Sequence, residues 1–392
     1  MAAVEAYTQA CEANDRKPRT YLVQTLEQIQ EEMDGERRSG VIDLQGTAKP
    51  LFKSRLNDVD VTCFFEGLAV FQTSGFNCAE INLSRNRIGA IGAAKVADFI
   101  QSDNVRVGAL NLAHNDIDTD GIQCVVELLR NRTTLSWLDV SCNEIGAKGA
   151  MNIVEALEEN NTLAHLDIGG TGFESSCIIA LCDMLRHRRN ITLRSLGLST
   201  PYVSKRSVPC HTVLEHIGLM LKHNHGISAL DLTGHRIDDR GAEVLCAYLC
   251  TNGSVQSLVM PKNDVGFKGA AAFAALLVDK NCALVHLDLG RNNIATDGAV
   301  SIAQALARNN TLQTLDLSQN DIKDEGLLQI QTSVTNHPSL RRLLMFSGNH
   351  FGKKAAEYLE SHPLHEKEHG GIKIDYKSFV VDGEVQIAQV AN

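Results

Sequence analysis

The chain has 392 residues, a net charge of −10 and an isoelectric point near 5.8, which disfavours non-specific binding to nucleic acid or to anionic membranes. Hydrophobic residues make up 44% but aromatic residues only 5%, so the core must be built from aliphatic side chains. The eleven cysteines are irregularly spaced without a paired CxxC motif, which argues against a disulfide framework or a structural zinc site.

The N-terminal region, residues 1–40, carries one amphipathic segment, "YLVQTLEQIQEEM", with Leu22, Leu26 and Ile29 on one side. We predict an N-terminal helical cap that covers the first repeat, with a docking helix for a partner as the alternative. No basic segment followed by an apolar run begins the chain, and no stretch approaches the roughly 20 apolar residues of a membrane span. The sequence therefore predicts a soluble, cytoplasmic protein.

Residues 41–359 repeat one phrase, which "LDLSQNDIKDEG" shows most clearly. The phrase starts in diverged form at "VIDLQG", and adjacent copies lie 28 or 29 residues apart. Each phrase is followed by a helical pattern such as "AVSIAQALARNNTL". An asparagine anchors most copies of the phrase, at Asn86, Asn115, Asn143, Asn263, Asn292, Asn320 and Asn349.

The phrase has a direct physical interpretation. Leu315 and Leu317 alternate with Asp316, so the leucines enter a core while the aspartate faces outward from a short strand. Asn320 is expected to satisfy backbone groups at the following turn, and successive asparagines to form a ladder. Gly326 removes a side chain where helix and strand pack closely. One unit cannot bury its own apolar side, so neighbours must stack.

This pattern resembles the ribonuclease-inhibitor-like class of leucine-rich repeats. The resemblance implies an α/β solenoid, or horseshoe, of about ten repeats with parallel strands on the concave face and helices on the convex face. Such a rigid surface predicts a protein–protein interaction scaffold within a larger assembly, because a preordered site loses little freedom on binding.

The middle of the solenoid is degenerate. Thr171, Pro201 and His235 stand where asparagine is expected, and an insertion spans about residues 199–210. Its loop, Thr200–Val208, carries Lys205 and Arg206, and more arginines lie nearby, at Arg186, Arg188, Arg189 and Arg194. This basic island is a candidate for binding phosphate, an acidic tail or nucleic acid. The alternative is a solvated helix C-terminus whose cations suit the helix dipole.

Residues 360–392 depart from the repeat. Asp382-Gly383 lies between apolar runs and predicts a tight β-hairpin over Phe379–Val390. We predict a C-terminal hairpin cap that protects an open parallel edge, with partner binding as the alternative.

The sequence has no Walker A motif, no Rossmann fingerprint, no HExxH and no GxSxG. Cys246 and Cys250 lie four residues apart in a helical stretch, where burial explains them best. His165 and His286 share a strand column, but several repeats separate them, too many for one metal ion. We therefore predict no catalytic residue, cofactor, metal or small-molecule substrate, and neither membrane nor specific nucleic-acid binding.

The outward-facing strand columns hold the predicted partner contacts. The only tryptophan, Trp137, falls in such a column, where an exposed tryptophan is a typical hot spot unless packing buries it. Aspartates form an acidic stripe that can steer a basic partner, or that only reflects the repeat. The predicted partner-binding residues are Trp137, Asp139, His165, Asp167, Asp288 and Asp316, together with Lys205 and Arg206.

Further resemblances leave the biological setting open. "SGNHFG", "FVVDGEVQIAQVAN" and "RLNDVDV" resemble axonemal leucine-rich-repeat proteins, which implies a component of cilia or flagella near radial spokes or dynein regulators. The Ran activator shares this repeat type, which implies a GTPase activator as an alternative, with Arg85 and Arg87 as loosely placed candidates. A nuclear or nucleolar interaction protein is another alternative. Ribonuclease inhibition is disfavoured, because that family's cysteine density and inner aromatic side chains are missing.

Overall fold

The structure is a computed structural model, and it describes residues 2–34, 40–73, 75–131, 134–188, 192–200, 210–335, 337–362, 372–381 and 384–389. The chain divides into two compact units. Within the described ranges, unit 1 holds residues 2–184 and 192–197, and unit 2 holds residues 185–188, 198–200 and 210–389. The sequence-based division at residues 40 and 359 stays a prediction.

Unit 1 alternates helices with parallel strands, and each strand pairs with the next one along the chain. The strands are β1 Gly40–Asp43, β2 Phe76–Asn82, β3 Val105–Asn111, β4 Trp137–Asp139, β5 His165–Asp167 and β6 Ser195–Gly197. The helices are α1 Ala2–Ala13, α2 Thr20–Asp34, α3 Asp58–Ala69, α4 Ala90–Gln101, α5 Ile122–Arg130, α6 Gly146–Leu157 and α7 Ser175–Arg188, with a 3₁₀ turn at Val70–Thr73.

Unit 2 has the same alternation, and its strands β7 to β12 also pair in chain order and in parallel. These strands are β7 Ala229–Asp231, β8 Ser257–Val259, β9 His286–Asp288, β10 Thr314–Asp316, β11 Arg342–Leu344 and β12 Lys373–Ile374. The helices are α8 Cys210–His223, α9 Asp239–Asn252, α10 Phe267–Leu277, α11 Ala295–Leu306, α12 Asp324–Val334 and α13 Lys353–Ser361. The predicted α/β leucine-rich-repeat fold is confirmed.

The N-terminal region contains two helices, of which the sequence pattern predicted only the second. In α2 the predicted apolar side is buried, with Leu22 and Leu26 fully shielded from solvent. The unpredicted helix α1 packs against α3 and buries Tyr7, whose hydroxyl accepts a hydrogen bond from the Arg19 amide at 3.0 Å. The Arg19 guanidinium in turn pairs with Asp60 on α3 at 2.6 Å.

The anchoring asparagines form the predicted ladder. The Asn115 amide donates to the carbonyls of Leu83 and Leu112 at 3.0 and 2.9 Å, and its oxygen accepts from the Ile88 amide at 3.1 Å. Each anchor thus donates to a carbonyl of the preceding repeat and accepts an N–H from that repeat. The same pair of bonds is present at Asn86, Asn143, Asn263, Asn292, Asn320 and Asn349.

A second set of hydrogen-bonding asparagines, which was not predicted from the sequence, lies between a helix and the following strand at four places in the described residues. The Asn309 amide donates to the Leu277 carbonyl at 2.8 Å, and its oxygen accepts from the Leu312 amide at 2.9 Å. Buried asparagines make equivalent bonds at Asn160, Asn224 and Asn252. The signal was present in the sequence, because "NNTL" occurs in two repeats.

The degenerate repeats replace asparagine with other hydrogen-bonding groups. The Thr171 hydroxyl donates to the Ile168 carbonyl at 2.7 Å. The His235 ring nitrogen Nε2 lies 2.8 Å from the Leu198 carbonyl, and burial lowers the pKa of His235 to about 4. A neutral imidazole therefore holds this rung at pH 7. Pro201 lies outside the described residues.

The expected role of Gly326 needs a correction. A Cβ atom at this position would lie 2.5 Å from Cγ2 of Ile322 and 3.0 Å from Cβ of Ala299. Ala299 belongs to α11, so the glycine allows two successive helices to approach, rather than a helix and a strand.

The C-terminal hairpin is present, with strands β13 Tyr376–Val381 and β14 Glu384–Gln389, although its turn lies outside the described residues. Within its described residues it does not pair with the parallel sheet. The parallel strand β11 is covered by β12, and the Asp375 carboxylate accepts the Met345 amide at 2.8 Å. The hairpin forms a separate antiparallel sheet that contacts α13, while the buried Tyr376 hydroxyl donates to Gln331 at 2.9 Å. The chain after β12 therefore continues onto a helix instead of extending the sheet.

Candidate functional site on the strand face of unit 1

The candidate site is built from two neighbouring three-residue strands, β4 and β5. In both strands the central leucine is buried and the flanking residues are half-buried, as the two-residue alternation requires. The parallel register places Trp137 opposite His165 and Asp139 opposite Asp167. We call these four residues the strand-face site.

The two rings of the site stack on each other. The centroids of Trp137 and His165 lie 4.7 Å apart, and their planes differ by 5°. Burial lowers the pKa of His165, against the opposite effect of Asp139, so the imidazole is neutral at pH 7. The sequence placed both residues in one column, and the structure shows that their rings stack face to face. Trp137 is half-buried, since His165 covers one of its sides.

The two aspartates have a structural role in the turns that follow their strands. Oδ1 of Asp139 accepts the Ser141 amide at 2.9 Å, and Oδ1 of Asp167 accepts the Gly169 amide at 2.9 Å. The interpretation that aspartate belongs to the repeat scaffold is therefore partly right. A side chain at Gly197 would collide with the Asp167 carboxylate, so this glycine leaves room for it.

The turn needs an acceptor but not a charge. At the same position of β2 and β3, the neutral Asn82 and Asn111 make the equivalent bonds to Ser84 and Ala113, at 3.1 and 3.0 Å. The negative charges of Asp139 and Asp167 therefore exceed what the turns require. The positions in register on β3 and β6 are uncharged as well, namely Ala109, Asn111, Ser195 and Gly197.

Two other predicted contacts lie in unit 2. Asp288 and Asp316 are opposite each other on β9 and β10, and their Oδ1 atoms accept the amides of Gly290 and Ser318, each at 2.8 Å. Burial raises the pKa of Asp288 to about 6, with the charges of Asp316 and Asp231 acting in the same direction. Lys205 and Arg206 lie outside the described residues. The predicted contact residues thus separate into a group on unit 1 and a pair on unit 2.

The backbone conformation of the repeat turns was not predicted from the sequence. The residue before each anchor position has a positive φ, for instance 60° at Arg85 and 56° at Arg291. The signal was the recurrence of glycine there, at Gly170, Gly234 and Gly348. This conformation turns a column of side chains toward solvent, and at Arg85, Lys262 and Arg291 these are exposed cations.

Among the described residues, no three histidine, cysteine or acidic side chains are grouped in a way that would hold a metal ion. Within the same ranges, none of the helices combines the length and apolar character that a membrane crossing requires.

Five segments of the chain match the family described as Leucine Rich repeat, at residues 109–126, 132–154, 223–246, 280–303 and 308–330. These segments fall on the units of helix and parallel strand described above. The chain carries leucine-rich repeats. Distant similarity relates the chain to ribonuclease-inhibitor and NLRP-like leucine-rich-repeat proteins.

This leucine-rich-repeat protein is similar to several curated proteins over part of its length. It is 26% identical over 222 residues to the mouse NACHT, LRR and PYD domains-containing protein 14, covering 55% of this chain and 21% of that protein. It is 24% identical over 228 residues to the pig ribonuclease inhibitor, covering 58% of this chain and 42% of the inhibitor. The match therefore spans less than half the length of either relative.

Two solved structures also align with the chain. Leiomodin-1 actin-binding site 2 aligns over 49% of this chain and 87% of its own, with 17% identity and a TM-score of 0.30. An internalin from Listeria monocytogenes aligns over 89% of this chain and 93% of its own, with 14% identity and a TM-score of 0.41.

Proposed function

We propose that this leucine-rich-repeat protein is a non-enzymatic scaffold that binds a basic protein segment at the strand-face site. The observation that carries the proposal is the charge of Asp139 and Asp167, which the turns do not need, beside the neutral stack of Trp137 and His165. An arginine side chain suits this combination, because a guanidinium stacks on an indole face and pairs with carboxylates.

The site is also held in place before binding. Parallel strands fix the two rings and the two carboxylates, and each carboxylate is anchored by its turn amide. A partner therefore encounters groups whose rotamers are already restricted, which reduces the entropy lost on association. Tryptophan at such a surface typically contributes more binding energy than its neighbours.

The test compares the intact protein with Trp137→Ala and with the double variant Asp139→Asn, Asp167→Asn in quantitative affinity capture from cells that express the protein. Asparagine preserves the turn bond, as Asn82 and Asn111 show, so the double variant removes charge alone. We expect Trp137→Ala to reduce captured partners by about tenfold or more. The double variant should weaken capture most at low salt.

Asp231→Asn serves as the matched control, because it makes the same chemical change at the same strand position of the other unit, at a residue outside the predicted contacts. Captured partners should be enriched in basic segments. Equal recovery of all partners by the wild type, Trp137→Ala and the double variant, with unchanged circular dichroism, would show that the strand-face site is not the interface.

We further propose the axoneme of cilia or flagella as the setting of this scaffold. The support is the resemblance of "SGNHFG", "FVVDGEVQIAQVAN" and "RLNDVDV" to axonemal leucine-rich-repeat proteins. A fluorescent fusion in ciliated cells tests the proposal: the signal should follow the axoneme after detergent extraction. A signal confined to the nucleus or nucleolus would instead favour the alternative of a nuclear interaction protein.

Activation of a small GTPase of the Ran type is the second candidate function. Arg85 and Arg87 lie on the turn between β2 and α4, and both side chains are exposed. A single-turnover GTP hydrolysis assay with and without the protein decides this point. A large acceleration that disappears in Arg85→Ala or Arg87→Ala would replace the scaffold proposal, whereas unchanged hydrolysis would remove the candidate.

A further inference from the structure

A rigid loop on unit 1 presents an exposed phenylalanine. The loop follows β1 and runs through residues 46–56, and its two leucines, Leu51 and Leu56, are buried. The Leu56 amide donates to the side-chain oxygen of the anchor Asn86 at 2.9 Å. Between these fixed points, Phe52 leaves 64% of its surface exposed. A large apolar side chain that stays exposed while its neighbours are buried more often belongs to a contact surface than to the packing of the fold.

The loop lies against the turn of the next repeat. The Gly46 amide donates to the Ser84 carbonyl at 2.9 Å, and the Arg87 amide donates to the Leu56 carbonyl at 2.8 Å. These bonds bring together cations that are about thirty residues apart in the sequence. We call the resulting group the basic rim patch, which consists of Phe52 and the exposed cations Lys49, Lys53, Arg55, Arg85 and Arg87.

The positive field of the patch acts on a neighbouring side chain. Burial lowers the pKa of His114 on the following turn; Arg85 and Arg55 lower it further, while Asp139 acts in the opposite direction. Both guanidinium groups therefore act on the same imidazole, in agreement with the backbone bonds that join the loop to the turn.

The cations of the patch are not neutralised within the described part of the chain. None of the five forms an ion pair there. Two carboxylates at the start of α3 are already engaged, since Asp58 accepts the Gly89 amide at 2.6 Å and Asp60 pairs with Arg19. Five exposed cations without an ion pair in the described residues form a basic surface in a protein whose net charge is −10.

We propose that the basic rim patch binds an acidic protein segment carrying an apolar side chain that covers Phe52. Carboxylates of the segment pair with the arginines, and the apolar contact fixes its position. A long polyanion such as a nucleic acid, or an anionic membrane, would be repelled by the rest of the acidic chain, whereas a short segment is not. Nucleic-acid grooves also present several stacking aromatics, and the patch presents one. This surface shares no residue with the strand-face site, so each proposal can fail alone.

The probe is a short fluorescein-labelled peptide of aspartate and glutamate with one central leucine, titrated with the full-length protein and followed by fluorescence anisotropy. Binding should be clear in about 0.05 M salt and much weaker in about 0.3 M salt. The double variant Arg55→Glu, Arg85→Glu should weaken it by about tenfold or more. Phe52→Ser should weaken it by about fivefold to tenfold, and a peptide with serine in place of leucine should lose the same amount.

Arg291→Glu is the matched control, since Arg291 has the same repeat position and nearly the same φ as Arg85 but lies on unit 2. It should leave binding within about twofold of the wild type. Equal losses in Arg291→Glu and in the double variant would overturn the proposal, as would an unchanged affinity of Phe52→Ser.

The partner class is tested with the same proteins. Tighter binding to phosphatidylserine vesicles or to single-stranded RNA than to the peptide, with the same dependence on Arg55 and Arg85, would also overturn the proposal. If the charge-reversed protein loses its native circular dichroism spectrum, the double variant Arg55→Gln, Arg85→Gln replaces it. Its expected loss of affinity for the peptide is smaller. That loss must still exceed the loss of affinity in Arg291→Gln.

Discussion

Replacement of Asn292 by alanine is the sharpest test of the ladder. The side chain is 6% exposed, and its amide donates to the carbonyls of Met260 and Leu289 at 3.0 and 2.9 Å. Its oxygen accepts the Val265 amide at 3.1 Å. Alanine leaves the buried Val265 amide without a partner, and an unsatisfied group costs about 1 to 3 kcal/mol. The two carbonyls lose one donor each but keep another, since Met260 also accepts from Asn263 and Leu289 from Asn320. Together with the two lost secondary bonds, we expect a loss of about 2 to 4 kcal/mol in the free energy of unfolding.

The adjacent residue supplies the control. Asn293 is exposed, so Asn293→Ala makes the same chemical change one position away and should shift stability by about 0.5 kcal/mol or less. Urea unfolding followed by circular dichroism gives the free energies, with equal m-values as a check on the comparison. Hydrogen exchange of the Val265 amide should accelerate only in Asn292→Ala. If the two variants agree within about 1 kcal/mol, the ladder does not stabilise the fold as argued.

Two pH-dependent predictions follow from buried titratable groups. Burial lowers the pKa of His235 from 6.5 to about 4, so the unfolded chain binds a proton at a higher pH than the folded protein does. The free energy of unfolding of the wild type should therefore fall by about 2 kcal/mol between pH 7 and pH 5. Urea unfolding of His235→Asn should show a much smaller fall. The pKa of Asp288 is instead raised to about 6 from 3.8, so its contribution is most favourable below about pH 4 and is lost as pH rises through 6. Asp288→Asn should therefore be more stable than the wild type at pH 7.5 and match it near pH 4; a constant difference at both pH values would contradict the assigned burial.

The site could be predicted in part. Trp137 and His165 are 28 residues apart, one repeat length, so the sequence placed them in one column. Their stacking depends on rotamers that only packing against neighbouring repeats selects. Asp139 was predicted as a contact residue, whereas its bond to the Ser141 amide became visible only when the turn geometry was known.

Sequence periodicity by itself determined which strand residues point toward the core and why asparagine anchors the turns, because these properties recur at positions one repeat apart. Tertiary structure decided the rest. It moved the C-terminal hairpin onto α13, since β12 already occupies the edge of β11. It also brought Arg55 close to Arg85, because the register of β1 and β2 aligns a loop with a turn that the repeat pattern does not connect. Local alternation fixes the direction of each side chain, but burial and charge proximity depend on every element that packs around it.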